Sequence, residues 1–314
     1  MDYTLHQLKV FTTIAEMRSI TKAAEALYLT QPAVSIQLKS FQSQFEIPLT
    51  EVVGRKLHIT EFGEEIVEAS KKILLEVENM NHKLLAYQGQ VAGKLKISVV
   101  STGKYIMPSF LSDFLKKHPA VELRMDVTNK VEVVNSLEEN TVDFSLVSIR
   151  PERLSLESIP LMENQLFFVG SRFAERSPSD IHPRSILRET PLILREPGSG
   201  TRQTIERYLA QHQLPLRTNM ELTSNEAVKQ AVLADLGYAI LPLIGIKNEL
   251  ELGQLKIIPI SDFPISSQWQ LIWLKGKKFG PAARTYLQYL RKHKDQIIQQ
   301  RYSWFEQYRW GPDK

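Results

Sequence analysis

The pattern of apolar residues changes at Gly89–Gly93, and this change divides the chain into two parts that must fold differently. Before these glycines, apolar residues recur at the three- and four-residue spacing of helices. After them, stretches that alternate polar with apolar residues are separated by helical stretches. At 314 residues the chain is also too long for one core. We therefore predict a small helical unit, a hinge at Gly89–Gly93 and a larger α/β unit.

Three short helices are predicted in the small unit, over about 4–17, about 21–28 and from Thr30 onward. Thr30 is a typical N-cap, and Pro32 lies in the first turn, where its missing N–H costs nothing. The third helix is expected to bury Val34, Leu38, Phe41 and Phe45. Its other face carries side chains that a core does not need: Gln31, Ser35, Lys39 and Gln42. This pattern is typical of a helix-turn-helix, and it also fits a three-helix bundle with a solvated polar face.

Two short strands follow, over about 49–53 and 57–60, around a turn that contains Arg55 and Lys56. They complete a predicted winged helix-turn-helix over residues 1–60. A long helix from Glu61 to about Gln88 then fills a linker segment, 61–90. Its apolar residues follow a heptad-like spacing of 7, 4, 3, 4 and 3 positions: Ile66, Ile73, Val77, Met80, Leu84 and Tyr87. This seam has nothing to pack against in its own small unit, so it favours pairing with a second copy in a homodimer. Packing on the larger unit of the same chain is the alternative.

The larger unit begins with the order strand, helix, strand, helix, strand over about 94–147, which predicts a largely parallel sheet. A second set of strands and helices follows, and the final strands, from about 255, are expected to return to the first set. We therefore predict two α/β lobes with a cleft between them: lobe I over 91–160 and 255–295, and lobe II over 161–254. Residues 296–314 form an aromatic-rich extension. It either packs back on its own unit or makes an oligomer or DNA contact.

The composition excludes several classes of protein. The chain has no cysteine, so disulfides, thiolate zinc sites, cysteine nucleophiles and thiol redox switches are ruled out. The seven histidines never fall at metal-ligand spacings, so no metal is predicted. Because the sequence has neither a basic leader followed by an apolar stretch nor a long uncharged apolar run, we expect a cytoplasmic protein with no membrane partner.

The net charge of +4 is unevenly distributed. Residues 1–65 contain six basic and eight acidic residues, whereas residues 275–314 contain ten basic and three acidic residues. The predicted helix-turn-helix is therefore slightly acidic overall. If it binds DNA, we expect few phosphate contacts in each copy, and hence reliance on several copies.

The run Gly198, Ser199, Gly200, Thr201 precedes a helix predicted to start near Arg202. It matches neither a dinucleotide-binding motif nor a phosphate-binding loop of the Walker type, and it lacks the pattern of a serine nucleophile elbow. A flexible turn that leads into a helix leaves backbone N–H groups free to hold an anion. A simple loop that caps the helix is the alternative.

Five segments resemble the LysR-type transcriptional regulator family. Residues 19–27 read S-I-T-K-A-A-E-A-L, residues 30–38 read T-Q-P-A-V-S-I-Q-L, and residues 48–63 read P-L-T-E-V-V-G-R-K-L-H-I-T-E-F-G. Two further segments, V-V-S-T-G-K-Y-I-M-P at 99–108 and L-R-E-P-G-S-G-T-R at 194–202, are similar to the subgroup that includes regulators of carbon fixation and sulfur assimilation. The resemblance implies a winged helix-turn-helix, a dimerising linker helix and a two-lobe effector domain like the periplasmic binding proteins. It also implies assembly into homodimers and then homotetramers.

The resemblance implies that residues of the small unit bind promoter DNA as a two-fold dimer on an inverted repeat. Base edges or nearby phosphates are expected to meet Gln31, Pro32, Ser35 and Gln37. The DNA backbone is expected to meet Ser19, Lys39, Arg55 and Lys56. Two positions depart from the family pattern. Thr50 replaces a large apolar residue of the wing, and Ile36 replaces a basic or amide residue, which favours contact with a thymine methyl group.

In the larger unit, the resemblance places effector contacts at strand ends and at the 198–202 loop, where ligands of open α/β sheets bind. The positions are Ser101, Thr102, Thr128, Asn129, Arg195, Gly198, Ser199, Gly200, Thr201, Arg202, Thr223 and Asn225. Arg195 and Arg202 supply positive charge, so we expect a small anionic effector: a phosphorylated, sulfur-oxyanion or carboxylate metabolite. No cofactor is predicted.

Two other classes compete with a regulator. An enzyme or small-molecule-binding protein with the two-lobe fold would not need residues 1–65, and the sequence shows no nucleophile, base or metal constellation. An architectural DNA protein would not need a cleft. We therefore predict a non-enzymatic regulator.

Overall fold

The computed structural model describes residues 2–54, 56–87, 90–176 and 180–308. The chain divides into two compact units, 1–90 and 91–314. Arg55, one of the predicted DNA contacts, lies outside the described residues.

The first unit begins with three helices: α1 Leu5–Met17, α2 Ile20–Leu27 and α3 Gln31–Gln42. Each starts at a polar N-cap whose side-chain oxygen accepts a hydrogen bond from the backbone of the first turn, namely Thr4, Ser19 and Thr30. The predicted start at Thr30 is therefore confirmed. Phe11, Val34 and Phe41 are fully buried where the helices meet. Phe45 lies beyond the end of α3 and is only partly buried, because it stacks at the rim with Tyr3.

The wing consists of β1 Thr50–Val53 and β2 Lys56–Ile59, paired antiparallel from Thr50 opposite Ile59. The long helix α4 Glu61–Tyr87 follows, as predicted. The first half of α4 packs within its own unit, where Ile66, Val67 and Leu74 contact the core of α1–α3. The prediction that the whole seam lacks a partner in its own unit is therefore wrong for Ile66. Three apolar side chains further along α4 remain exposed: Ile73, Leu75 and Met80.

The second unit starts with β3 Gly93–Val100, α5 Met107–Lys117, β4 Val121–Thr128, α6 Lys130–Glu138 and β5 Phe144–Val147. β3 pairs in parallel with both β4 and β5. Of the hinge predicted at Gly89–Gly93, Gly93 belongs to the sheet as the first residue of β3, and Gly89 lies outside the described residues. A short 3₁₀ helix, Ser101–Tyr105, links β3 to α5.

The remaining elements are β6 Leu156–Ser171, α7 Ile186–Glu189, β7 Leu192–Arg195, α8 Gly200–Gln211, β8 Thr218–Leu222, α9 Asn225–Leu233, β9 Ala239–Pro242, α10 Lys247–Glu251, β10 Leu255–Ile257, β11 Ile265–Leu274 and α11 Pro281–Tyr302. Seven strands form one sheet in the order β10, β6, β11, β5, β3, β4, with β9 also on β6. β7 and β8 form a separate parallel pair. The large sheet is mixed rather than largely parallel, because β6 pairs antiparallel with β9, β10 and β11, and β11 with β5.

The long antiparallel strands β6 and β11 connect two lobes. One end of β6, near Ile159, belongs to the core of lobe I, which also contains Phe110, Phe144 and Trp269. The other end, from Leu166 onward, belongs to the two cores of lobe II. β10 pairs with this second end, and Ile258 and Ile260 pack there too. The predicted return to lobe I at residue 255 is therefore wrong, because the chain returns only along β11.

The aromatic-rich extension packs back on its own unit as far as residue 308. α11 continues through it to Tyr302, whose hydroxyl donates to the backbone oxygen of Ile106 at 3.2 Å. A 3₁₀ helix, Ser303–Tyr308, follows. Trp304 and Tyr308 pack on lobe II, and Phe305 packs on the cores of both lobes. Residues 309–314 lie outside the described part of the chain.

Among the described residues, no helix combines the length and apolar character needed to cross a membrane.

Candidate functional site

One face of α3 carries the polar residues that the helix-turn-helix interpretation requires. Gln31 and Pro32 are exposed in its first turn, and the side-chain amide of Gln31 donates to Ser35 Oγ at 3.2 Å. Gln37 is half-buried and Lys39 is exposed. Ile36 is 66% exposed in the middle of this polar face. An exposed β-branched side chain between hydrogen-bonding groups fits contact with a thymine methyl group in a major groove.

The other predicted DNA contacts have local structural roles as well. Ser19 Oγ accepts from the backbone N–H of Lys22 at 3.3 Å and so caps α2. Lys56 is exposed at the start of β2, next to Gly54, whose φ of 56° lies in the left-handed region that glycine tolerates. Gln42, on the predicted polar face, instead holds the wing: its Oε1 accepts from the backbone N–H of Leu49 at 2.7 Å.

The cleft between lobes I and II is closed by hydrogen bonds that centre on Ser101. Ser101 Oγ, from lobe I, accepts from Arg195 Nη1 at 3.0 Å and from Asn225 Nδ2 at 3.3 Å, both in lobe II. Lys130 Nζ crosses the same cleft to Gln203 Oε1 at 2.7 Å. The remaining space is about 10 Å³, close to the volume that one water molecule requires.

The amino-terminal end of α8 forms one wall of this space. Ser199 is the buried N-cap, and its side chain makes no capping hydrogen bond, so α8 starts without the usual side-chain acceptor for its free N–H groups. Ser148 Oγ lies opposite, 3.5 Å from where a Cβ on Gly200 would stand. Such an end attracts anions because free N–H groups and the helix dipole point at the ligand.

The two predicted arginines are already neutralised by carboxylates. Arg195 is 3% exposed, and its Nε and Nη2 each donate to Glu196 at 2.7 Å. Arg202 does not line the cleft: it pairs with Glu206 and Glu221, at 2.7 and 2.5 Å, and donates to the backbone oxygen of Arg195 at 2.9 Å. These contacts, chiefly the hydrogen bond to Glu206, raise the pKa of Arg202.

Lys130 is the cation of the cleft that the sequence analysis missed. It lines the cavity, and its one hydrogen-bond partner there, Gln203, is neutral. Burial, followed by repulsion from Arg207, lowers the pKa of Lys130, and the charge of Glu152 opposes this shift only in part. The sequence contained a feature that could have identified Lys130. It lies in the first turn of α6, where a positive charge is unfavourable because it opposes the helix dipole.

The structure brings most of the predicted effector contacts together. The cavity is lined by Ser101, Thr102, Asn129, Arg195, Ser199, Gly200 and Thr201, together with Val100, Lys130 and Ser148. Asn225 adjoins this group through its bonds to Ser101 and, at 3.4 Å, to Thr201. Besides Asn225, the predicted residues that do not line the cavity are Thr128, Gly198, Arg202 and Thr223.

A second polar contact joins the lobes beside the cleft. The Tyr105 hydroxyl of lobe I donates to Glu226 of lobe II at 3.3 Å, and Lys229 lies between Glu226 and Glu249, at 3.1 and 2.7 Å. Burial opposes ionisation of Glu226, but hydrogen bonds from Gln230, Lys229 and Tyr105 outweigh it and lower the pKa of Glu226. Burial, with the charge of Glu226, raises the pKa of Tyr105.

No group of three or more carboxylate or imidazole side chains that could hold a metal ion forms within the described ranges. A winged helix-turn-helix followed by a two-lobe unit with a polar cleft defines a DNA-binding regulator that carries a ligand-binding domain.

Comparisons with known proteins place this regulator in a family. Residues 5–64 match the bacterial regulatory helix-turn-helix proteins of the lysR family, and residues 88–295 match the LysR substrate-binding domain. The chain belongs to the LysR family of bacterial transcriptional regulators. The predictions of a DNA-binding regulator with an effector-binding domain, and of a regulator rather than an enzyme, are confirmed.

The most similar relatives include regulators named for carbon fixation. The transcriptional activator CmpR of Synechocystis sp. strain PCC 6803 is 35% identical, over 94% of this chain and 97% of its own. The RuBisCO operon transcriptional regulator of Acidithiobacillus ferrooxidans is 36% identical, over 91% and 93%. The predicted similarity to carbon-fixation regulators is confirmed.

Two solved structures are informative. The CcmR regulatory domain of Synechocystis PCC 6803, in complex with 2-PG, is 32% identical and covers 64% of this chain and 97% of its own, with a TM-score of 0.61. Full-length CbnR, complexed with its target DNA, covers 92% of this chain and 99% of its own, with a TM-score of 0.66. At 19% identity, CbnR supports the fold alone.

Proposed function

We propose that this regulator senses 2-phosphoglycolate (2-PG), or a closely related small phosphorylated acid, in the cleft between lobes I and II. The observation that supports this proposal most strongly is that Lys130 lines the same cavity as the amino-terminal end of α8, which has no side-chain cap. The complex of the CcmR regulatory domain with 2-PG supports the ligand class, because that domain aligns with this chain over 97% of its length.

The chemistry of the lining fits a phosphate group. Backbone N–H groups at Gly200 and Thr201 and the hydroxyls of Ser101 and Thr102 offer donors, and Lys130 supplies charge. Arg195 uses three of its five N–H donors, two toward Glu196 and one toward Ser101, so it can add a donor to the phosphate once the lobes separate.

Entry of 2-PG requires the lobes to separate. The closed cleft holds about 10 Å³, far less than a two-carbon phosphate occupies, so the Ser101–Arg195 and Lys130–Gln203 contacts must open first. The ligand then replaces contacts between the lobes by contacts of its own. Because 2-PG binds only the opened arrangement, it shifts the population toward that arrangement.

We further propose that the protein acts in the cytoplasm as a homodimer, or a tetramer of two such dimers, on an inverted repeat in promoter DNA. Ile73 and Met80, seven residues apart on α4, are exposed at positions of the predicted seam. The α3 face with Gln31, Ser35 and Lys39 would enter the major groove in each copy.

The thermal unfolding midpoint of the full chain tests the effector class. We expect 2-PG to raise the midpoint saturably, because a ligand that binds only the folded state stabilises it by mass action. Three compounds serve as controls. Glycolate carries only the carboxylate of 2-PG, inorganic phosphate carries only its phosphate, and sulfate resembles the phosphate in shape and charge. No shift with 2-PG, or equal shifts with all four compounds, would contradict the proposal.

A further inference from the structure

A cavity of about 480 Å³ lies away from the cleft, between the segment of β6 that crosses from lobe I to lobe II and the end of α11. The crossing segment, Leu161–Gln165, contributes one wall, and Tyr302 and Phe305 contribute the other. Small-molecule sites usually occupy 300 to 1,000 Å³, so this volume is ample for a ligand.

The inner part of the cavity is apolar. Leu161, Met162 and Tyr302 are nearly fully buried in the core of lobe I, and Ile298 and Phe305 pack partly against it. This floor favours a ligand with an apolar body, because covering such a surface removes it from water.

In the described part of the lining, the charged residues are all acidic, and the other polar residues, Gln165, Gln299, Tyr302 and Ser303, can both donate and accept. Three carboxylates lie around the opening, at Glu163, Asp295 and Glu306. Lys294 lies 3.7 Å from Asp295 and offsets part of that charge. Among the described residues that line the cavity, none is a lysine, an arginine or a histidine. The lining is thus complementary to a ligand that donates hydrogen bonds and carries positive charge.

Gln165 provides an independent observation. Its side chain lines the cavity and is 6% exposed, and its amide nitrogen donates to Glu163 at 3.0 Å. Its Oε1 accepts no hydrogen bond from any described residue. Buried acceptors without donors are rare in folded proteins because they lose their hydration without compensation. Because this oxygen has almost no accessible surface, a donor group bound in the cavity satisfies it only after the Gln165 side chain turns.

We propose that this cavity is a second small-molecule site, selective for an organic cation with an ammonium or amidinium head and an apolar body. The head donates to the carboxylates of Glu163 and Glu306, and to Gln165 Oε1 once that side chain turns toward the cavity, while the body covers Met162 and Phe305. The site is separate from the anion-binding cleft, so its test does not depend on the effector proposed above.

Isothermal titration of the full chain with three matched probes tests the proposal. Benzamidine is the cation, benzamide its neutral analogue and benzoate its anionic one. We expect saturable binding of benzamidine, with the other two weaker by at least about tenfold, because only the cation matches an acidic lining. Absence of saturable benzamidine binding, or equal binding of all three probes, would overturn the proposal.

Variants locate the binding. The double change Glu163→Gln and Glu306→Gln should weaken benzamidine by at least about tenfold, whereas Glu122→Gln and Glu139→Gln, on exposed positions of lobe I, should not. Gln165→Met keeps the volume and removes the orphan acceptor. It should weaken benzamidine while leaving the unfolding midpoint equal or higher. Unchanged affinity in both cavity variants would overturn the assignment.

Discussion

Arg195 Nη1 donates to Ser101 Oγ at 3.0 Å, and this bond joins the end of β7 in lobe II to the segment after β3 in lobe I. Asn225 donates to the same oxygen, so one hydroxyl accepts both bonds from lobe II. Because Arg195 and Asn225 are both buried, neither donor has ready access to water when Ser101 is lost.

Ser101→Ala should therefore destabilise the second unit. We expect a loss of about 1 to 2 kcal/mol in the free energy of unfolding, because Arg195 Nη1 loses its acceptor and Asn225 keeps only the 3.4 Å bond to Thr201. Urea unfolding followed by circular dichroism measures this value. Ser266→Ala, on an exposed position of β11, is the matched control and should change it little. Equal effects of the two changes would show that the Ser101 contacts contribute nothing.

Lys130→Gln should weaken 2-PG binding by at least about tenfold, because the cleft loses a half-buried cation whose hydrogen-bond partner, Gln203, is neutral. Isothermal titration measures the affinity. Lys116→Gln on the exposed face of α5 makes the same change outside the cleft and should leave the affinity unaltered. Retained affinity in Lys130→Gln would exclude Lys130 from the site.

The two kinds of DNA contact on α3 should respond differently to mutation. Gln31→Ala should lower affinity for the specific site by about tenfold and leave non-specific binding nearly unchanged, because base contacts carry the specificity. Lys39→Gln should weaken binding to all sequences and reduce the salt dependence, because a phosphate contact is lost. Fluorescence anisotropy over a range of salt concentrations separates them. If Gln31→Ala instead reduced the dependence of affinity on salt concentration, Gln31 would contact a phosphate rather than a base.

The exposed seam of α4 should control dimerisation. Ile73→Asp places a charge where the predicted seam needs an apolar side chain, so the sedimentation profile should shift from dimer toward monomer. Leu75→Asp adds the same charge at a more exposed residue that lies off the seam, so it should retain the dimer. Dissociation by Leu75→Asp alone would place the interface on a different face of the helix.

The stability contributed by Glu226, which accepts hydrogen bonds from Gln230, Lys229 and Tyr105, should depend on pH. Because the folded protein lowers the pKa of Glu226 below its ordinary value of 4.5, the carboxylate contributes stability above that pH. The contribution is lost as the pH falls below 4.5 through the folded pKa. Glu226→Gln should therefore be less stable than the wild type at pH 7, and the difference should shrink in acid. Urea unfolding at several pH values, with exposed Glu122→Gln as control, measures it. If the stability difference between Glu226→Gln and the wild type did not change with pH, ionisation of Glu226 would not be its cause.

Local patterns in the sequence predict the elements well, but they do not predict which elements meet. The caps at Ser19 and Thr30 and the heptad spacing of α4 depend on neighbouring residues, so the helices follow from the sequence. The position of β10 depends on its pairing with distant β6, and periodicity contains no information on that partner. The packing of Tyr302 and Phe305 on both lobes is unpredictable for the same reason.

The candidate site shows the same limit. The positions at strand ends and in the 198–201 loop were enough to predict most of the residues that line the site. The carboxylates that pair with Arg202 could be predicted from the sequence only in part. Glu206, one turn after Arg202, follows the i,i+4 rule and signals an ion pair. Glu221 reaches the same arginine only through the pairing of β8 with β7. Lys130 is therefore the positive charge best placed to bind an anion. It lies in lobe I and meets the 198–201 loop of lobe II only because the two lobes face each other across the cleft.

The distance between the lobes, measured with and without 2-PG, tests the account most directly. The chain has no cysteine, so Lys116→Cys in lobe I and Gln211→Cys in lobe II give two specific positions for spin labels. Because a cleft of about 10 Å³ must open to admit the ligand, saturating 2-PG should shift the distance distribution to longer values, and glycolate should not. An unchanged distribution in protein that titration shows to be saturated with 2-PG would contradict an effector site between the lobes.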